Sequence, residues 1–84
     1  MSEADGDRIN LKIKDQNGKE IFFRIRRTTE LRRVINAYCD RQAMDSKVVR
    51  FFYDNQRIRG SETPDELDME DDAEIDAMME QTGG

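Results

Sequence analysis

Two segments near the start of the chain have an alternating pattern, and this period of two limits the possible folds more than any other feature. Residues 9–14 alternate Ile or Leu with polar side chains, and residues 20–26 place Ile21, Phe23 and Ile25 on one face. Such alternation is typical of strands with one buried face. The Asn17-Gly18 pair between them favours a tight turn because both residues tolerate a positive φ. The sequence therefore predicts a β-hairpin.

A helical period follows the hairpin. Apolar residues recur at the i, i+3, i+4, i+7 and i+8 positions of one helical stripe. Before the stripe, Thr28 and Thr29 offer hydroxyls that could cap the free amides, and Glu30 suits the first turn. We expect the helix to end near Gln42. The stripe consists of Leu31, Val34, Ile35, Tyr38 and Cys39.

Several shorter elements are predicted after the helix. Residues 47–53 and 74–78 resemble strands, and a turn at Asp54-Asn55 leads into a short segment at residues 56–59. Thr63-Pro64 predicts a single helical turn, with the hydroxyl as its cap. A hairpin, a helix and further strands indicate an α+β fold in which one helix covers one face of the sheet. The residues expected to face inward are Val49, Phe51, Ile75 and Ala77.

The composition excludes several classes of function. The chain of 84 residues, too short for two domains, has no histidine and one cysteine. It therefore lacks the imidazole of Ser-His-Asp and Cys-His catalysis and the ligand clusters of zinc sites. We expect neither an enzyme nor a bound metal or cofactor, and we interpret Cys39 as a small structural apolar residue. Residues 1–8 are polar, so we expect no signal peptide, no membrane contact and an intracellular protein. We also expect a monomer.

Charge is distributed unevenly along the chain. Residues 24–33 include five arginines against Glu30, whereas residues 60–84 include ten acidic residues and neither lysine nor arginine. The molecule should thus have a basic pole and an acidic pole, which favours oriented docking to more than one partner. A net charge of −5 argues against general binding to nucleic acids.

The order of the elements, followed by Gly-Gly, resembles the β-grasp fold of the ubiquitin family. Within it the chain is similar to the small ubiquitin-like modifiers (SUMO), and residues 38–42 and 63–71 look nearest to plant-type members. The resemblance implies a mixed sheet of four to five strands with one main helix across one face. It divides the chain into a flexible N-terminal tail (1–8), a ubiquitin-like domain (9–80) and a flexible conjugation tail (81–84). The matching strings are Ile21-Phe-Phe-Arg-Ile25, Thr28-Thr29, Tyr38-Cys-Asp-Arg-Gln42, Gln56-Arg-Ile58, Thr63-Pro-Asp-Glu-Leu-Asp-Met-Glu-Asp71 and Gln81-Thr-Gly-Gly84.

The resemblance implies a function for the C-terminal residues. An activating enzyme would adenylate the Gly84 carboxylate with ATP and hold it as a thioester. A conjugating enzyme would then transfer it to a lysine of a target protein as an isopeptide bond, and a SUMO-specific protease would first expose Gly84 in the precursor. Glycines lack a β-carbon and suit a narrow channel, whereas without the resemblance these residues are simply a frayed terminus. The implied conjugation residues are Gln81, Thr82, Gly83 and Gly84.

The family resemblance also implies where the protein acts and which other function competes with conjugation. We expect action in the nucleus and the cytoplasm. The rival function is a ubiquitin-like adaptor that is never conjugated and acts only through a peptide-binding groove. A terminal Gly-Gly distinguishes the two, because an adaptor does not need it.

A groove beside the second strand is the second candidate site. The resemblance implies that short hydrophobic peptides with acidic or phosphorylated flanks bind there, and an edge strand, apolar pockets and arginines suit such a ligand. The alternative is that its apolar residues are ordinary core and its arginines a solvated face. The residues are Ile21, Phe23, Arg24, Ile25, Arg26, Arg33, Val34 and Arg41.

An acidic surface is the third candidate site. It could meet basic patches on the activating and conjugating enzymes and raise the rate of encounter, and a solvated acidic face is the alternative. None of the four lysines has the Ψ-Lys-x-Glu context in which relatives build chains, so we expect inefficient self-attachment. The residues are Asp54, Glu70, Asp71 and Asp72, with Asp68, Glu74 and Asp76 near them.

Two residues depart from the family pattern at turns. Asn55 stands where glycine is usual, and the turn should survive because asparagine tolerates a left-handed conformation. Ala43 stands where a helix-ending glycine is common, so we expect the loop at residues 43–47 to differ.

Overall fold

The computed structural model describes residues 7–79, which form one mixed sheet and a helix. The sheet has five strands in the order β2-β1-β5-β3-β4. β1 and β5 pair in parallel, and the other neighbours are antiparallel. The predicted α+β arrangement is confirmed. The elements are β1 (Arg8–Lys14), β2 (Glu20–Arg26), α1 (Arg32–Arg41), a single 3-10 turn (Ser46–Val48), β3 (Val49–Tyr53), β4 (Gln56–Ile58) and β5 (Ala73–Met79).

The β1–β2 hairpin forms as predicted, but its turn depends on Asp15 and Gly18. The Asp15 carboxylate accepts hydrogen bonds from the amides of Asn17 and Lys19, at 2.9 and 2.8 Å. Gly18 has a φ of +88°, a conformation that favours glycine. The Asp15 carbonyl accepts from the Gly18 amide at 3.1 Å, so this aspartate closes the loop through both its backbone and its side chain.

The core lies between α1 and the sheet. Tyr38, 1% exposed, meets Phe51 edge to face, with ring centroids 5.6 Å apart. This geometry is the favourable one for two aromatic rings and fixes the helix against β3. The residues predicted to face inward are buried here, together with Ile58 and Met69. The buried core consists of Ile9, Leu11, Ile13, Leu31, Val34, Tyr38, Cys39, Val49, Phe51, Ile58, Met69, Ile75 and Ala77.

The start of α1 differs from the prediction. No side chain caps the helix, so the expected cap by Thr28 or Thr29 is wrong. The first amides instead donate to backbone carbonyls of a distant loop, from Leu31 to Glu62 at 2.8 Å and from Arg32 to Gly60 at 2.9 Å. These carbonyls satisfy amides that would otherwise have no partner within the helix. Tertiary contact replaces local capping.

The end of α1 has a specific geometry at Ala43, where the sequence departs from the family pattern. Ala43 adopts a φ of +53° immediately after the C-cap residue Gln42. The Met44 amide donates to the Cys39 carbonyl at 2.8 Å, and the Ala43 amide donates to the Asp40 carbonyl at 3.3 Å. This pair of bonds is the Schellman motif, in which glycine is usual at the left-handed position. An alanine there adds backbone strain.

Three local details refine the predicted boundaries. β1 begins at Arg8, so this residue belongs to the sheet and not to the predicted N-terminal tail. The third strand begins at Val49, because the Asp45 carboxylate accepts from the Lys47 amide at 3.0 Å and starts the 3-10 turn. The predicted cap at Thr63 is confirmed, since its hydroxyl accepts from the Glu66 amide at 3.1 Å. Within residues 7–79, no helix is long and apolar enough to cross a membrane.

Candidate functional site

The outer edge of β2 presents backbone groups that another strand could pair with. As predicted, β2 is a terminal strand of the sheet. At the two ends of the β1–β2 ladder, the Arg27 amide donates to the Asp7 carbonyl at 2.8 Å and the Asp15 amide donates to the Lys19 carbonyl at 3.0 Å. Because hydrogen-bonded and non-bonded pairs alternate in an antiparallel ladder, the odd-numbered residues of β2 bond to β1. The backbone N–H and C=O of Phe22 therefore face outward.

A shallow groove of about 570 Å³, here named the β2 groove, runs between β2 and α1. Half-buried Phe23 and Ile25 form one apolar wall, and Val34, 2% exposed, lies against them from α1. Thr29 and Ala37 complete the lining. Four exposed arginines surround these apolar residues, so the groove combines apolar contact with positive charge. They are Arg8, Arg24, Arg26 and Arg33.

The structure brings most of the predicted groove residues together. Ile21 and Arg41 do not line the groove. Ile21 is half-buried and packs on the core, and the Arg41 guanidinium lies 5.8 Å from the centre of the Phe23 ring, as in a cation–π contact. Arg8 does line it, although the sequence interpretation assigned this residue to a tail. The signal that could have identified Arg8 is its place immediately before the first alternating segment, opposite Arg26 in the hairpin register.

The predicted acidic residues also lie together. They line a shallow depression of about 450 Å³ beside the β3–β4 turn, together with Tyr53 and Ala73. Asp76 does not line it. Among residues 7–79, no group of acidic or sulfur ligands could hold a metal ion. We name this depression the acidic surface; its carboxylates belong to Asp54, Asp68, Glu70, Asp71, Asp72 and Glu74.

Two of these carboxylates also have structural contacts. The Asp71 carboxylate accepts from the Asn10 amide at 2.8 Å, and the Asp72 amide donates to the Asn10 carbonyl at 2.8 Å. The exposed carboxylate of Glu74 forms an ion pair with the half-buried Lys12 at 3.7 Å. Asp71 therefore fastens the loop before β5 to the side of β1, and replacing it would alter the fold as well as the charge.

Cys39 has the environment of a structural residue. It is 4% exposed and belongs to the core. Burial raises the pKa of its thiol, and the nearby Asp45 carboxylate raises it further. Because the thiolate is the reactive form, both effects disfavour nucleophilic chemistry. The proposed conjugation residues, Gln81 to Gly84, lie outside the residues that the structure describes.

Comparison with known sequences extends over nearly the whole chain. Residues 9–79 match the family described as Ubiquitin-2 like Rad60 SUMO-like. The chain is 57% identical over 79 residues to small ubiquitin-related modifier 2 of Arabidopsis thaliana, covering 94% of the chain and 77% of the relative. The predicted similarity to plant SUMO is confirmed by this relative.

Two relatives from outside plants match at lower identity than the Arabidopsis protein. The ubiquitin-like protein pmt3/smt3 of Schizosaccharomyces pombe is 46% identical over 93% of the chain and 67% of the relative. Small ubiquitin-related modifier 3 of Homo sapiens is 42% identical over 98% of the chain and 80% of the relative. The solved structure of Caldiarchaeum subterraneum ubiquitin superposes with a TM-score of 0.80, covering 92% of this chain and 99% of that one at 16% identity. This last likeness concerns the fold alone and confirms the ubiquitin-like β-grasp.

Proposed function

Since the chain belongs to the SUMO-like family of ubiquitin-related modifiers, we propose that it is a protein modifier attached to lysines of other proteins through the carboxyl group of Gly84. In this proposal an activating enzyme forms the adenylate and then a thioester, and a conjugating enzyme transfers the acyl group to the lysine amine. A SUMO-specific protease would expose the glycine in a longer precursor. All catalytic groups belong to these partners.

The observation that carries the proposal is the family match over residues 9–79, followed after Glu80 by Gln81-Thr-Gly-Gly84. Gly83 and Gly84 have no side chains, so a strand ending in them fits a narrow channel in an enzyme. Cys39, the one thiol of the chain, is buried and has a raised pKa, so it is poorly suited to act as a nucleophile.

The experiment is thioester formation with the SUMO activating enzyme and ATP. We expect a band on a non-reducing gel that disappears on treatment with a thiol. A chain ending at Thr82 should form no thioester, whereas a matched control lacking residues 1–6 should form it normally. If the full chain is folded and forms no thioester, the proposal fails and the non-conjugated adaptor is favoured.

We further propose that the β2 groove binds short hydrophobic peptides with acidic flanks. The outward backbone of Phe22 could pair with such a peptide, and Phe23 and Ile25 could receive its aliphatic side chains. The groove arginines would bind its carboxylates or phosphates. The acidic surface is proposed to meet basic patches on the activating and conjugating enzymes and to increase their rate of association.

For location we propose the nucleus and the cytoplasm, as expected from the family. Fluorescence imaging of a chain tagged at its N-terminus tests this, because the tag leaves Gly84 accessible. A signal confined to a membrane-bound organelle other than the nucleus would contradict it.

A further inference from the structure

A second groove lined by arginines borders the opposite flank of α1. It has a volume of about 340 Å³ and lies between the helix and the β3–β4 hairpin, where β4 is the other terminal strand of the sheet. We name it the β4 groove. Ile35 and Asn36 line it from α1, and Val49 and Ile58 line it from the strands. Its arginines are Arg32, Arg50, Arg57 and Arg59.

The charges around the β4 groove favour an acidic ligand. No acidic residue of the described chain is among those that line it. Arg32 pairs with Glu30 at 2.9 Å, but both side chains are more than half exposed, and an exposed pair of this kind is weak and readily exchanged. The Glu62 carboxylate near Arg59 is already occupied by two backbone amides, those of Arg59 and Gly60 at 3.0 and 2.8 Å.

The β4 edge presents fewer outward-facing backbone N–H and C=O groups to a ligand than the β2 edge does. The β3–β4 turn has only two residues, Asp54 and Asn55, both with positive φ, so the flanking pair Tyr53–Gln56 is hydrogen-bonded. By alternation Ile58 also bonds to β3, and Arg57 is the one residue of this three-residue strand whose backbone faces outward. A ligand in the β4 groove must therefore be held mainly by side chains.

We propose that the β4 groove binds a second acidic peptide segment, rich in aspartate or glutamate and with one aliphatic anchor, while the β2 groove stays accessible. Planar guanidinium groups bind carboxylates in pairs of parallel hydrogen bonds. The half-buried side chain of Ile35 is the contact for the anchor. A net charge of −5 and the acidic surface disfavour long polyanions such as RNA. The proposal concerns the unattached protein and does not depend on conjugation.

The test is a titration of the full chain, labelled with ¹⁵N, with a peptide that has one central leucine flanked by glutamates. We expect amide shifts at Ile35, Asn36 and Arg57 in addition to shifts in the β2 groove. The Arg57→Glu variant should weaken binding at the β4 groove about fivefold and leave the β2 groove unchanged. Lys19→Glu is the matched control, because it makes the same change of charge at an exposed residue that lines neither groove.

Three results would overturn the proposal. The first is a set of shifts confined to the β2 groove. The second is an equal loss of affinity at the β4 groove in Lys19→Glu, which would assign the effect to net charge alone. The third is tighter binding at the β4 groove of a single-stranded oligonucleotide than of the peptide. If Arg57→Glu does not fold, Arg57→Gln replaces it, with a smaller loss of affinity in the same direction.

Discussion

The two grooves beside α1 carry similar charge but present different backbones. Four arginines line each one. The β2 groove borders a strand of seven residues whose alternate backbone groups face outward, whereas β4 has three residues and presents only the backbone of Arg57. The apolar lining differs too, since Phe23 and Ile25 are half-buried but Val49 and Ile58 are buried. Similar charge therefore does not make the two surfaces equivalent: strand length and accessible apolar surface decide what each can hold.

The largest expected effect is on the apolar wall of the β2 groove. Phe23→Ala should weaken binding of a hydrophobic peptide with acidic flanks by about 2 kcal/mol, or about thirtyfold, because the variant removes a large apolar contact. Titration calorimetry measures this, with thermal unfolding to verify the fold. Ile35→Ala, on the β4 side, should leave binding at the β2 groove unchanged, and equal losses at the β2 groove in both variants would remove the distinction between the grooves.

The second prediction tests strand addition at β2. Phe22→Pro removes an outward N–H without breaking the bonds to β1, so the fold should persist while peptide affinity for the β2 groove falls about tenfold. Phe22→Ala keeps the N–H and should bind like the original chain, since the Phe22 side chain is 62% exposed and does not line the groove. Fluorescence anisotropy of a labelled peptide compares them. Normal binding by the proline variant would mean that no strand is added here.

The third prediction concerns Glu62, whose carboxylate accepts hydrogen bonds from the amides of Arg59 and Gly60. Burial tends to raise the pKa of this carboxyl, but hydrogen bonds from the amides of Arg59 and Gly60, together with the charge of Arg59, lower it overall. A lowered folded-state pKa stabilises the protein above the unfolded-state pKa, and this contribution is lost as pH falls through the folded-state value. Glu62→Gln should therefore cost about 1 kcal/mol near neutral pH and less in acid.

Urea unfolding at about pH 7 and about pH 3 measures this change. Glu70→Gln is the control, because it neutralises an exposed carboxylate on the acidic surface and should change stability by only about 0.3 kcal/mol. A Glu62→Gln variant with the same loss at both pH values would contradict the assigned role of its charge.

The smallest effect is expected at the end of α1 and should leave both grooves unchanged. Ala43→Gly should stabilise the protein by about 0.5–1 kcal/mol, because it relieves an alanine held at positive φ. Ala37→Gly makes the same chemical change within the helix, where glycine should destabilise by about 1 kcal/mol. Thermal unfolding measures the change in stability of both variants, which should have opposite signs. A loss of stability in Ala43→Gly would show that Ala43 is not strained.

Local patterns in the sequence predicted most of the fold. The period of two identified the hairpin and its buried residues, and the helical stripe identified α1, because both patterns follow from which side chains must be buried. The cap of α1 was predicted wrongly because the acceptors that matter come from Gly60 and Glu62, which no local pattern connects to the helix. The 3-10 turn before β3 was also missed.

The candidate sites were only partly predictable. The β2 groove could be outlined because most of its residues lie in two adjacent elements, although Arg8 was missed. No pattern in the sequence predicted the β4 groove. Its arginines come from α1, β3 and the β4 region and are brought together only by tertiary structure. A run of charged residues in the sequence predicts a charged surface only where the residues of that surface lie close together along the chain.

Because the first amides of α1 donate to carbonyls of a distant loop, the helix cannot be capped early during synthesis of the chain on the ribosome. When residues 31–41 leave the exit tunnel, the carbonyls of Gly60 and Glu62 that will receive the first amides of α1 are still inside it. A short helix without these acceptors is marginal in water. The nascent chain therefore cannot complete α1 early, and assembly of the domain must wait until the segment up to Glu62 has emerged.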